Sequence, residues 1–159
     1  MGFLTGRLMS TLRPGVAATL GLGSEYRQYW EESNERARQA DGPLWVAVGD
    51  STAQGIGASA PDHGYVGQLL VRLRDEQRRP WRVVNLSATG ARVADVVRER
   101  VPRINEVGEP ELITCAAGAN DVIRLGFRRV AEALRDLIRA LPPNAVLATA
   151  REGYSWGRF

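Results

Sequence analysis

The chain has 159 residues, 44% hydrophobic and 25% charged, with a formal net charge of +3. That balance suits one globular domain with a real core and excludes wholesale disorder. One cysteine and one histidine exclude a disulfide framework and a zinc cluster, and all 21 basic residues are arginine, which excludes the lysine chemistry of phosphate-loop and Schiff-base sites.

The first 23 residues hold Arg7, Arg13 and a weak apolar stretch from Val16 to Leu22, broken ahead of it by Pro14-Gly15. They read as a loosely docked arm, with no clean cleavage site for a secretory signal, so a cytoplasmic location is the expectation. From Ser24 the period turns helical: Tyr26, Tyr29, Trp30, Ala37 and Ala40 recur among Glu, Arg and Gln, until Asp41-Gly42-Pro43 stops them. Leu44 to Val48 is an unbroken apolar run, the pattern of a strand buried on both faces. The following 15 residues are rich in Gly, Ser, Ala and Pro and read as a loop. Tyr65, Val66, Leu69, Leu70 and Leu73 then stripe an amphipathic helix.

The alternation repeats. Arg82 to Leu86 reads as a second strand. Val93, Val96, Val97 and Val101 mark a second core helix that Pro102 ends or kinks. Leu112 to Ala116 is a third strand, and Phe127 to Leu141 carries the cleanest helical stripe. Pro142-Pro143 ends it, and Ala145 to Thr149 is a fourth strand. Strand–helix alternation with crossover-length connections predicts an α/β fold, a parallel sheet covered by helices on both faces. Ligands of such sheets sit beyond the carboxyl ends of the strands.

Three strand ends carry chemistry: Gly49-Asp50-Ser51-Thr52, Asn85 through Gly90, and Gly118-Ala119-Asn120-Asp121. Each alone is an ordinary turn or cap. Together they have a logic. A serine at a strand-to-helix turn presents its hydroxyl at the sheet edge, near the positive end of a helix. Gly90 lacks a side chain, so its N–H can approach a reacting oxygen, and Asn120 offers an amide donor. The Ser51 N–H, the Gly90 N–H and the Asn120 side chain are candidates for an oxyanion hole. Asp50 and Asp121 read as loop-fixing carboxylates that accept backbone N–H groups. Cys115 reads as a small buried hydrophobe, and Trp45 and Trp81 as packing residues.

These blocks, in this order, resemble those of the SGNH (GDSL-type) hydrolases. Val46 through Gly57 looks like that family's nucleophile block, Asn85 through Gly90 matches its Asn-x4-Gly block, and Gly118 through Asp121 its Gly-x-Asn-Asp block. The resemblance covers roughly residues 44 to 149. It implies a three-layer α/β/α, flavodoxin-like fold, hydrolysis of a small-molecule ester without a cofactor, Ser51 as nucleophile, and Gly90 and Asn120 as oxyanion donors. A flavodoxin-like phosphate- or flavin-binding module and a non-catalytic remnant of the fold are the competing readings.

The family's fourth block, Asp-x-x-His, which supplies acid and base, has no counterpart in these 159 residues. The expectation is a chain lacking the fold's last strand and helix, through an early stop or frameshift or as a genuine short variant, with impaired catalysis. Its parts would be an N-terminal arm and helix over 1–43, an incomplete hydrolase-like domain over 44–149 and an irregular tail over 150–159. His63, twelve residues after Ser51, reads as a loop residue rather than a replacement base. The missing strand would leave the fourth strand bare, a route to self-association. Neither a membrane span nor a basic stripe for nucleic acid is visible.

Overall fold

In a computed structural model, residues 14–125 and 127–148 are described. Four parallel strands form one sheet: β1 (Leu44–Gly49), β2 (Arg82–Asn85), β3 (Leu112–Ala116) and β4 (Ala145–Ala148), in the spatial order β2-β1-β3-β4. This is the flavodoxin-like order that the resemblance implies. In register, Val46 lies between Val84 and Ile113, and Gly49 sits opposite Ala116. The strand boundaries agree with the apolar runs to within a residue. Thr149 and the tail expected over 150–159 lie outside the described residues.

Successive side chains of β1 point to opposite faces, and both faces are dry. Leu44, Val46 and Val48 join a cluster with Val84, Leu86, Val93, Val96, Ile113, Cys115 and Leu137. Trp45 and Ala47 join Trp30, Ala53, Val66 and Trp81 on the other face. Each fully buried Val or Leu contributes about 1.5–3 kcal/mol over an exposed one, so β1 anchors both layers. Trp45 and Trp81 are packing residues, as read, and their indole N–H groups are satisfied by Thr114 Oγ1 (3.0 Å) and Gln77 Oε1 (2.9 Å).

The helices depart from the sequence reading in three places. The first helix, α1, runs Pro14–Gln39 and starts ten residues before Ser24, so 14–23 is helix and not arm. Pro14 stands at the first helical position, where its missing N–H costs nothing and its fixed φ suits the start. Gly15, Gly21 and Gly23 had masked the signal. Residues 1–13 lie outside the described set.

Second, the loop after β1 opens with a one-turn helix, α2 (Ser51–Gln54), and later holds a 3₁₀ turn at Pro61–His63 before α3 (Tyr65–Gln77). Third, the Val93 helix is not regular. A short α4 (Val93–Asp95) widens into a π turn over Val96–Arg100, closed by Val101 N–H to Val96 O at 3.0 Å, and then a 3₁₀ turn over Pro102–Ile104. Pro102 has no N–H for the Arg98 carbonyl, and its ring crowds that carbonyl. The preceding turn loosens to the wider ladder. After β3 come α5 (Ala119–Leu125) and α6 (Phe127–Ala140).

The outer edge of β2 is closed by a side chain. Asn34, on α1, donates to Asn85 O (2.8 Å) and accepts from Asn85 N–H (2.7 Å). Its amide carries one donor and one acceptor side by side, as a peptide group does, and so stands in for a neighbouring strand. Arg82 ties the same edge to Ala37 O and Gly42 O, both at 3.0 Å.

Candidate active site

The carboxyl edge of the sheet brings the three blocks together. Asp50 N–H donates to Ala116 O (3.0 Å), joining the first block to the end of β3. Ala88 N–H donates to Gly49 O (3.1 Å), joining the second block to the first. Asn120 Nδ2 donates to Ala91 O (3.0 Å), joining the third block to the residue after Gly90. Asp121 Oδ2 accepts from Val93 N–H (2.8 Å), a second link between the same segments.

Local chemistry fixes each segment. Asp50 caps α2, its Oδ1 accepting from Thr52 N–H at 2.9 Å, which leaves Ser51 as the first helical residue, partly exposed. Gly49 must be glycine. Its φ is +150°, and a Cβ there would stand 2.1 Å from Ala116 O. Gly90 has φ +77° and nothing within 4 Å of where a Cβ would be, so open space lies before it. Asn120 and Asp121 sit inside the first turn of α5 rather than ahead of it, because Val122 N–H already bonds Gly118 O (3.0 Å). Asp50 and Asp121 thus act as loop-fixing carboxylates, as their positions suggested.

Asn85 is the hub of the second block. Its Nδ2 donates to Ala53 O (2.8 Å), and its Oδ1 accepts from both the N–H and the hydroxyl of Ser87. Gln54 adds a tie that the sequence did not disclose. It is buried, its Nε2 donates to Ser87 O (3.3 Å), its Oε1 accepts from the Thr89 hydroxyl, and its carbonyl accepts from Trp30 Nε1 (2.9 Å). Of the Asn120 amide hydrogens, one is spent on Ala91 O; the amide has a second to offer.

Asp50 is almost wholly buried, and burial raises its pKa; the Thr52 and Ala119 N–H groups oppose that shift, and the Asp121 charge adds to it. The Ala119 N–H stands near enough to favour the anion, yet Asp50 Oδ2 has no hydrogen-bond partner. Burial pushes the Cys115 thiol up to about 12, with the Asp50 charge adding to the shift, so it is no nucleophile at neutral pH. His63 is exposed, and its Nδ1 shares a 2.8 Å hydrogen bond with Ser59 Oγ. Among the described residues, no group of three or more His, Cys, Asp and Glu could hold a metal ion. No helix among them is long and apolar enough to cross a membrane.

The order of the blocks, the sheet and their joining at one edge meet a family-wide pattern. The GDSL-like lipase/acylhydrolase family model matches residues 47–156. The chain belongs to that family. The match runs past Thr149, beyond the 44–149 stretch that the motif resemblance covers. Among solved structures, AlinE4, an SGNH-hydrolase family esterase, is 22% identical with a TM-score of 0.55, over 68% of this chain and 59% of that one. TesA is 27% identical with a TM-score of 0.54, over 65% of this chain and 58% of that one. The chain therefore spans under two thirds of either structure's length. No curated protein sequence matches it. Membership of this GDSL-like family does not favour the flavin-binding alternative.

Proposed function

We propose that this chain is a serine ester hydrolase in which Ser51 is the nucleophile. The Ser51 N–H, the Gly90 N–H and the Asn120 side-chain amide are its oxyanion donors. The observation that carries this reading is the joining of the three blocks by Asp50–Ala116, Ala88–Gly49 and Asn120–Ala91 hydrogen bonds at one sheet edge. Family membership supports the same chemistry. A phosphate cradle after β1 would call for neither the Gly90 nor the Asn120 block.

In this mechanism Ser51 Oγ adds to the ester carbonyl and its proton passes to a base. The carbonyl oxygen takes up the negative charge against the donors. The tetrahedral adduct collapses, the alcohol leaves with a proton, and water then cleaves the acyl-serine. Within these 159 residues the base is the weak point. The lone histidine bonds Ser59, and no Asp-x-x-His occurs. General-base assistance is typically worth about 10²–10⁴-fold, so turnover by this chain is expected to be low. Donors and binding alone leave some acceleration over water.

The test is labelling with a fluorophosphonate probe, mapped by peptide mass spectrometry. Slow modification of Ser51 is expected, abolished in Ser51→Ala and slowed roughly 10²-fold in Asn120→Ala. Turnover of p-nitrophenyl acetate should stay near background and be unchanged in His63→Ala. A fast rate that vanishes in His63→Ala makes His63 the base. Absence of any label on Ser51 removes the nucleophile assignment.

A further inference from the structure

A cleft of about 470 Å³ lies between α1 and the segment that follows β2, outside the sheet edge closed by Asn34. Arg27 reaches it from α1, Arg100 from the π turn and Arg103 from the 3₁₀ turn, with the Ser87–Thr89 loop as another wall. Glu31 also lines it, so the ionised groups facing it are three cations and one anion.

These arginines are poorly paired. Arg27 stands 4.0 Å from Glu31, Arg100 3.6 Å from Glu99 and Arg103 4.0 Å from Glu106, all beyond hydrogen-bond length. Elsewhere the chain pairs an arginine well: Arg79 holds Glu111 in a two-pronged contact at 2.8 and 2.7 Å. The Arg100 Nε is moreover buried with no hydrogen-bond partner. A buried N–H on a cation is costly to leave unmet. The protein has therefore gathered three incompletely paired cations around a polar cleft.

We propose that this cleft binds the phosphate group of a small organic molecule. Three guanidinium groups line it, one from α1, one from the π turn and one from the 3₁₀ turn, and that much positive charge suits a multi-oxygen dianion better than a single carboxylate. The Ser87 and Thr89 hydroxyls already donate to Asn85 and Gln54, so the arginines supply the charge-assisted bonds. The volume exceeds that of a bare phosphate and falls in the range of small-molecule sites, leaving room for the organic part. The cleft shares the Ser87–Thr89 loop with the second block, and the next residue, Gly90, is an oxyanion donor in the reading above.

Thermal unfolding of the full chain is followed in rising inorganic phosphate and, separately, glycerol phosphate, at constant ionic strength. A saturable rise in the midpoint is expected, because a ligand at a hundred times its Kd favours the folded state by a factor of about 100. Arg100→Gln and Arg27→Gln should each weaken binding at least tenfold, the loss of one charge-assisted contact. Arg27 lies on an exposed helix face, so that variant keeps its fold even if Arg100→Gln does not. Arg139→Gln, on α6 and away from the cleft, should bind as the parent does. The proposal is overturned by a shift that sodium chloride reproduces, by equal binding in all three variants, or by a midpoint that responds to malonate and not to phosphate. No readout depends on esterase activity, so failure here leaves the Ser51 reading untouched, and failure of that reading leaves this one.

Discussion

Asp50 keeps a carboxyl group out of water one residue from Ser51, and the consequence is a pH dependence with a definite sign. Its pKa is raised above the ordinary 3.8, burial being the chief cause. The folded state therefore holds the proton to higher pH than the unfolded chain does. Between the unfolded and the raised pKa the native state binds more protons, so stability falls as pH climbs through that window. An asparagine at this position keeps the α2 cap and loses the titration. Denaturant midpoints measured from pH 3.5 to 8 should therefore decline more in the parent than in Asp50→Asn over the pH range just above 4. Parallel curves for the two proteins would show that Asp50 titrates as it does when unfolded. At this same scale the sequence was informative: the blocks holding Ser51, Gly90 and Asn120 stand out because each follows a strand, where a sheet of this kind presents its chemistry, and hydrogen bonds join those blocks at one sheet edge. Gln54 was not found, since nothing in a Thr-Ala-Gln-Gly run tells that its amide will bridge Ser87 and Thr89 more than 30 residues on.

Elements were legible where their signal is local. The unbroken apolar run of Leu44–Val48 marked β1, because a strand buried on both faces needs every residue apolar, and short apolar segments between helical stripes marked the other three. The helix over Val93–Val101 was legible as apolar spacing but not as a π turn, because the spacing of buried valines is nearly the same in either ladder and only Pro102 hints at the change. The role of α1 was hidden for a different reason. Its key contact joins Asn34 to Asn85 across 51 residues, and an asparagine on a helix surface looks like any other polar residue. That contact has an energetic weight. Asn34→Ala removes the partners of the buried Asn85 N–H and carbonyl, each costing about 1–3 kcal/mol when left unmet. A loss of roughly 2–4 kcal/mol in urea unfolding is expected, against a change within about 0.5 kcal/mol for the exposed Glu35→Ala beside it. Equal effects of the two substitutions would mean that water replaces the amide at little cost and that α1 does not close this edge.

At the scale of the whole molecule, the two edges of the sheet are treated unequally. The β2 edge is covered by α1 through Asn34 and Arg82. The β4 edge has no such cover among the described residues, where β4 pairs only with β3. Exposure alternates along β4: Ala145 and Leu147 pack inward, while Val146 is 57% exposed. Ile138, on α6, is a further large apolar side chain left in water. An edge strand with free N–H and C=O groups and no charge among its residues is a template for another strand. We propose that two copies associate through this edge, as the strand pattern suggested. Self-association should rise with concentration in sedimentation velocity, and Val146→Arg should suppress it, because pairing would then bury or crowd a guanidinium at the centre of the new contact. Val71→Arg is the matched control. It replaces a similarly exposed valine, 56% in water, on the helix α3 rather than on a strand. It should leave association unchanged if backbone pairing at β4 drives it, and reduce it equally if scattered apolar surface does. A chain that stays monomeric at high concentration, with β4 as it stands, would show that the edge is closed by some other means.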